Sequence, residues 1–399
     1  MQLEKTDILI CGGGPAGLIA AAALAHAGFE VCVVDPSAPI TTGDDDGADL
    51  RSTAFLQPAQ ALFQDIGIWD KLLPHAVPLD MLRIVDTVGD PPEPRDERAF
   101  DAAELGDQPF GWNFLNWRIR RELVAHLTAQ PNVELRFGTG FASQLTRTSG
   151  AIVTLSDGAR LQARLVVAAD GRNSPVRDAA GISVKTTRYG QKALAFIATH
   201  PEPHLNVSTE IYHEGGPFTM VPLADIDGIP ASAIVWMNPG RRAVDLAALP
   251  VAEFKIEMSR RSAGLFGPLE LASRRALWPI ITQRAQMLTS QRVALIAEAA
   301  HVLPPIGAQG LNTSLNDVAA LLDAARKDPA QLGEPQMLAA YEKARHKDIA
   351  NRTRIIDLFN RVTRSGDVNL QSLRLAGLKA AHDIAPLRQG LMRAGMGPL

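Results

Sequence analysis

Cysteine is nearly absent from this 399-residue chain, which has only Cys11 and Cys32. They lack C-x-x-C spacing and lie on adjacent predicted strands, which argues against a disulfide framework and leaves both as small buried hydrophobes. A reducing, cytoplasmic setting is the expectation from that usage. Aromatic residues make up 5% of the chain and the formal net charge is -3, so neither stacking platforms nor a basic surface for nucleic acid is expected. The nine histidines include no H-E-x-x-H and no His/Cys cluster at ligand spacing, and no metal site is predicted. No Ser/His/Asp or paired-carboxylate arrangement stands out, and there is no internal repeat.

One long apolar run, residues 8–28, has the length of a membrane span or a signal-peptide core. Only Lys5 precedes it as a basic residue, and four glycines and a proline interrupt it, so both readings fail. Asp7-Ile8-Leu9-Ile10-Cys11-Gly12-Gly13-Gly14-Pro15-Ala16-Gly17 instead reads as strand, tight turn and helix, the helix stopping at Gly28. Gly12 makes the turn, Gly14 lets the backbone approach a pyrophosphate, and Gly17 lets helix and strand pack closely. The phosphate then sits on the positive end of the helix that opens at Pro15 and Ala16. Asp35 ends the next predicted strand at about the 20-residue spacing at which a carboxylate meets a ribose hydroxyl.

The composition, 46% hydrophobic and 21% charged, is that of a globular protein long enough for two cores. Residues 41–47, with Asp44, Asp45 and Asp46, read as a solvated turn. Asp49-Leu50-Arg51 leads into a helical pattern ending near Gly67, residues 81–85 alternate as a strand, and Pro91, Pro92 and Pro94 mark a loop. Residues 116–127 read as a helix with Arg120, Leu123 and Leu127 on one face. A second motif, Asp170-Gly171-Arg172, follows an apolar strand at 164–169. Strand-like runs at 193–199, 209–212, 218–223 and 232–237 predict an antiparallel sheet. A strand at 292–297 delivers the third motif, Glu298 to Asn312, which runs into a helix, and from about Gln336 the chain is helical and basic. Each feature has a plain structural reading: Asp170-Gly171 as a turn, Pro304-Pro305 as a breaker, Arg51, Arg120 and Arg177 as surface charges, His301 as a satisfied core histidine. Jointly, three motifs at strand ends point to one ligand beyond the carboxyl edge of a sheet.

With these motifs the chain resembles the flavoprotein aromatic hydroxylases, the group A monooxygenases, and more closely their ubiquinone-biosynthesis branch. The resemblance extends over essentially the whole chain. It is carried also by Asp49-x-Arg51, the 63–69 segment, Gly216-Pro217 to Pro222-Leu223, Val235-Trp236, and a tail with Tyr341, Arg345, Asp348, Leu358-Phe359, Arg374, Gly377-Leu378 and Gly395-Met396-Gly397. It implies an α/β fold: a discontinuous Rossmann-like FAD-binding domain (1–75, 112–185, 276–335), an inserted antiparallel β-sheet substrate domain (76–111, 186–275) and a helical C-terminal region (336–399). Gly12, Gly14 and Gly17, with Pro15 and Ala16, would hold the FAD pyrophosphate, and Asp35 the adenosine ribose. Arg51 and Arg120 match basic positions that contact the cofactor, and Asp170 and Gly171 a motif tied to both FAD and a transient NADH or NADPH. Glu298 matches an acid on the ribityl or pyrophosphate region. Pro305 would line the reaction face, with Gly307, Gly310, Leu311 and Asn312 along the isoalloxazine ring.

The implied activity is hydroxylation of an aromatic ring, a polyprenylated phenol or benzoquinol intermediate of ubiquinone biosynthesis, with NAD(P)H and O2 through a flavin C4a-hydroperoxide. Two alternatives stay open: a hydroxylase of a small soluble aromatic acid, and a non-catalytic member of a biosynthetic complex. One departure bears on the last: Ala297-Glu298 stands where the family usually has Gly-Asp, which implies weaker FAD retention. Residues 341–399 carry 11 Lys/Arg against 5 Asp/Glu. Ile349, Ile355, Ile356, Phe359 and Val362 fall near one helical stripe. A wet basic face on a packed helix is the plain expectation. The sharper one is peripheral docking at the inner face of a membrane, or on a ubiquinone-biosynthesis complex. Oligomeric state, ring position and the choice between NADH and NADPH are left open by the sequence.

Overall fold

The computed structural model describes residues 3–43, 45–363 and 368–397, with side chains outside 362–374 and 376. Asp44 and the side chains of Val362 and Arg374 lie outside the described residues. The first strand, Glu4–Cys11, lies inside an eight-stranded sheet and pairs in parallel with Arg160–Ala168 on one side and Val31–Asp35 on the other. Val293–Leu295 and Val133–Phe137 extend the parallel set, and the hairpin Phe141–Arg147/Gly150–Leu155 adds antiparallel strands. Ile8, Leu9, Ile10 and Cys11 are all buried, as parallel strands covered on both faces require. The helix Pro15–His26 is buried along nearly its whole length and packs on the helices Asn116–Thr128 and Gln309–Lys327. The apolar run is therefore core.

A nine-stranded second sheet forms a roof. Its order is His301–Val302, Ala276–Ala285, Val184–Thr199, Ile229–Pro239, Phe218–Ile226, Val207–Tyr212, Met81–Val88 and Glu93–Asp101, with Glu270–Leu271 beside Val184–Thr199. The expected antiparallel pattern has one exception, since Val207–Tyr212 runs parallel to Met81–Val88. Met81–Val88 enters from an earlier, separate excursion of the chain, so no hairpin dictates its direction. Pro91 and Pro92 lie in the expected loop, a turn at 89–92, whereas Pro94 falls inside the strand Glu93–Asp101; it is an edge strand, and an edge tolerates proline. The outer face is covered by Gly240–Ala248 and Val251–Arg261, whose Leu246, Phe254 and Met258 pack with Phe196, Phe218 and Trp236. Ser52–Leu56, Gly111–Leu115 and Val77–Leu79 form a separate three-stranded sheet, tied to the roof where Asn113 donates to the Pro222 carbonyl at 2.8 Å, and Ser52–Leu56 leads into the expected helix, Gln57–Asp65.

The tail comprises the helices Pro335–Thr363, Val368–Asp383 and Ala385–Met396. The first packs on Gln309–Lys327, and Tyr341 donates its hydroxyl to the Leu295 carbonyl at 2.7 Å. The last two return to the roof, where Met392 joins Ile84, Phe100 and Tyr212, and Arg388 pairs with Glu104. The expected single apolar stripe splits. Ile349 and Ile356, two turns apart, are buried, whereas Ile355 and Phe359 are exposed, because a one-residue offset turns a side chain by 100° about the helix. No helix among the described residues is long and apolar enough to cross a membrane.

Gly17 holds the first strand, turn and helix together through contact closer than any side chain allows. A Cβ there would lie 2.0 Å from the Gly12 carbonyl oxygen. Gly17→Ala is expected to lower stability by about 3 kcal/mol, read as a reduced urea midpoint at unchanged slope.

Candidate functional site

Three strand ends open into one cavity of about 1180 Å³, lined in part by Gly14 to Gly17, by Ala169, Gly171 and Arg172, and by segments of 297–311. Gly12, at φ +118, turns so tightly against Ala169 that a Cβ would meet its carbonyl oxygen at 2.2 Å. Gly14 differs from Gly12 and Gly17. A Cβ there meets nothing within 4 Å, so this glycine faces open space. Pro15 has no amide hydrogen, and the free first-turn amides of Ala16 and Gly17 sit at a helix N-terminus with no acidic side chain in its first turn. Such an end attracts an anion.

The carboxylates of the three motifs behave differently. Asp35 accepts the amide of Gly13 at 2.7 Å and that of Ser37 at 2.8 Å, bracing the glycine turn from outside the cavity lining. Asp170 also lies off the lining; its Oδ2 takes the Val176 amide at 3.1 Å, and its Oδ1 finds no hydrogen-bond partner of ordinary geometry among the described residues. Burial pushes its pKa up, against the hydrogen bonds of Ser174 and Val176. Glu298 is exposed and lines the cavity opposite Arg51, whose charge it reinforces. Arg51 grips Asp49 with two bonds of 2.7 Å and lies over Trp278. Burial alone would raise the Asp49 pKa, but Arg51 and Asn116 hold it below the ordinary carboxylate range. Arg120 lines the cavity half-buried, and its Nε is buried with no hydrogen-bond partner among the described residues.

The third segment carries strain. Ala297 and Ala308 take left-handed conformations, at φ +54 and +56, where a non-glycine residue costs about 1–2 kcal/mol. Pro305, Gly307, Gly310 and Leu311 all line the cavity. Asn312 does not; its amide is committed to the Leu56 amide and to the carbonyls of Ala54 and Ala308, and so ties this helix start to the strand Ser52–Leu56.

Sequence reasoning missed Asp317. Fully buried, it accepts the Ala297 amide at 3.0 Å and faces His301 Nε2 at 2.6 Å through one oxygen, while the other takes Arg345 Nε at 2.8 Å. Burial would raise its pKa, but His301 and Arg345 more than offset this and hold it below the usual value. The available signal was an acid inside the apolar stripe Leu315, Val318, Leu321 and Leu322. His301 is buried against Asp317 and also borders the cavity. The cavity wall supplied by the tail was also missed, with Ile355, Leu358, Leu378 and Leu391 among its residues. The roof adds Glu210, a buried acid in the strand Val207–Tyr212.

Asp317→Asn removes the counter-charge of a buried Arg345 and is expected to cost about 3–5 kcal/mol at neutral pH. The native carboxyl has a depressed pKa, so its contribution is present above the unfolded value of about 4 and is lost as pH falls through the lower native value. Urea titrations of parent and variant should therefore differ at pH 7 and converge under acid conditions.

Comparison with known proteins agrees with this geometry. Residues 5–354 match the FAD binding domain family. The chain is 32% identical to the ubiquinone hydroxylase UbiL of Rhodospirillum rubrum, an alignment covering 99% of this chain and 90% of that protein. It is 28% identical to the 3-demethoxyubiquinol 3-hydroxylase of Escherichia coli over the full length of both. Its fold superposes on the p-nitrophenol 4-monooxygenase PnpA of Pseudomonas putida with a TM-score of 0.81 at 19% identity, covering 99% of each chain. A glycine cradle open at Gly14, helix amides without an acid in the first turn, and Arg120 with its Nε unpartnered among the described residues suit a dinucleotide pyrophosphate, and the chain belongs to the FAD-dependent monooxygenase family of ubiquinone-biosynthesis hydroxylases.

Proposed function

We propose that the cavity holds FAD at its floor and a polyprenylated phenol or benzoquinol beneath its roof, the chain acting as a ring hydroxylase. The observation that carries this reading is the continuity of one space, from the glycine cradle through the 305–311 loop to an apolar roof. Gly14, Ala16, Gly17 and Arg120 would meet the pyrophosphate, with Asp35 behind the cradle toward the adenosine ribose. Gly12 shapes that cradle, and Asp170 and Gly171 stand beside it, near the path of NADH or NADPH. Arg51 and Glu298 would flank the ribityl region, and Pro305, Gly307, Gly310 and Leu311 the isoalloxazine ring, with Asn312 bracing that loop. The bound flavin, reduced by NAD(P)H, supplies the activation of O2 to an electrophilic oxygen. The protein's part is to orient the ring and exclude water.

A small aromatic acid fits less well. The cations lining the cavity, Arg51, Arg120 and Arg172, belong to the floor, while the roof strands around Glu210 contribute Ser208 and Thr219 hydroxyls and apolar side chains; no arginine or lysine among the described residues lines the cavity there to hold a carboxylate. The tail wall suits a prenyl chain, and its lip, Ile355, Leu358 and Leu391, is exposed. Apolar residues rimming a cavity, on a tail with a basic excess, support peripheral contact with an anionic membrane.

Gly14→Val separates ligand from fold. Its side chain enters open space, so the urea midpoint without FAD should stay within about 0.5 kcal/mol of the parent, while the yellow colour and stoichiometric FAD are lost. Retention of FAD by this variant would count against the assignment. Ile355→Asp with Leu358→Asp should weaken co-sedimentation with anionic liposomes several-fold while FAD content stays normal. Unchanged sedimentation would remove the membrane reading.

A further inference from the structure

The roof presents a carboxylic acid to the space in which the aromatic ring would lie. Strand register sets Ile84, Glu210, Thr219 and Val235 side by side on four adjacent strands, and all four line the cavity. Glu210 is the one acid among the described residues of the roof lining; the other lining acids, Asp49 and Glu298, belong to the floor. It is buried and makes no ion pair among the described residues, and its Oε2 accepts the Tyr212 hydroxyl at 2.5 Å. A buried carboxyl without a cation is costly, and nothing in the packing of the sheet calls for one here.

The charges on neighbouring elements are matched elsewhere. Asp86 pairs with Arg95, and Arg98 with Asp96 and Asp383, on the adjacent strands and tail. On the tail helices His382 faces the Ala99 carbonyl and Asp383, Arg388 pairs with Glu104, and Asp357 takes the Tyr189 hydroxyl. Across the cavity stand Arg51, Arg120, Arg172, Asp49 and Glu298, and His301 lines it from the far edge strand of the roof sheet. Burial pushes the Glu210 pKa up, against the Tyr212 hydrogen bond. That narrows the gap to a phenol, whose ordinary pKa is near 10.

We propose that Glu210 is the base that takes the hydroxyl proton of the phenolic substrate, a role that rests on the phenol reading above. The O–H bond breaks, the proton passes to a Glu210 carboxylate oxygen, and the electron pair stays on the ring oxygen. Its charge spreads to the ortho and para carbons and raises their nucleophilicity toward an electrophilic oxygen. When the ring rearomatises, its carbon-bound proton leaves to solvent and Glu210 returns its proton to the ring oxygen. Tyr212 is a positioning residue, which fixes the carboxyl through Oε2 and leaves Oε1 for the substrate.

The test uses FAD-loaded protein with 2-prenylphenol and with its 4-nitro derivative as a chromophore. In the parent, the bound nitrophenol should take on its phenolate absorption at a pH where the free compound is neutral. Glu210→Gln should bind it as the neutral phenol, keep stoichiometric FAD and form hydroxylated 2-prenylphenol about 100-fold more slowly, with NADH oxidation diverted to hydrogen peroxide. Equal product rates in the two proteins would overturn the role of Glu210 alone. The parent spectrum requires no variant to fold, and a nitrophenol bound to it in the neutral form would also overturn that role. Failure of the parent to bind either phenol would bring down the phenol reading, and this proposal with it.

Discussion

A carboxylate sealed from water must find its hydrogen-bond and charge partners within the protein, and Asp317 finds them on three separate segments. The Ala297 amide belongs to the short helical turn Ala297–Ala300 that follows the sheet strand Val293–Leu295, His301 is the first residue of the roof's edge strand, and Arg345 lies in the tail. One buried charge therefore fixes the floor loop, the edge of the roof and the tail relative to one another. Arg345 extends the network to Asp348 and the Thr313 carbonyl, and Arg352 takes it on to Gln309 at the start of the floor helix. Strained alanines at 297 and 308 persist in a segment held in this way from several sides.

The glycine cradle divides its work by position. Gly12 and Gly17 are needed by the protein, because backbone atoms fill the space a side chain would take. Gly14 meets no such limit, since the space beside it is empty of protein, and in the proposed reading that space is left for the ligand. The Gly-x-Gly-x-x-Gly pattern thus combines two positions fixed by packing with one that packing leaves free. Asp35 braces Gly13 through one oxygen while standing at the end of the second strand.

The tail acts as a wall between two sheets. Its first helix is anchored in the floor through Tyr341 and Arg345, and its last lies on the roof through Met392 and Arg388. Between them it lines the apolar arm of the cavity, which is where a prenyl chain would run. Much of its basic charge is spent internally: Arg345 and Arg352 share Asp348, and Arg361 takes Asp357. The apolar lip at Ile355 and Leu358 is therefore as much a part of the outward surface as the charge.

Local chemistry determined what the sequence could reveal alone. A turn that only glycine makes, a helix that opens on proline and a strand apolar on both faces are properties of a few neighbouring residues, and they made the FAD cradle, the Rossmann-like sheet and the order of the motifs legible. The family resemblance extended this to the roof and the tail. Tertiary structure alone decided which side chains share a space. Asp317 reads in sequence as an acid within an apolar stretch and Glu210 as one polar residue of a short strand; the partners of the first lie 16 to 28 residues away along the chain, and the cavity-lining neighbours of the second lie across adjacent strands. The same holds for the split of the tail stripe and the parallel pair in the roof. Burial and cross-strand register depend on contacts between distant segments, and a local pattern does not specify them.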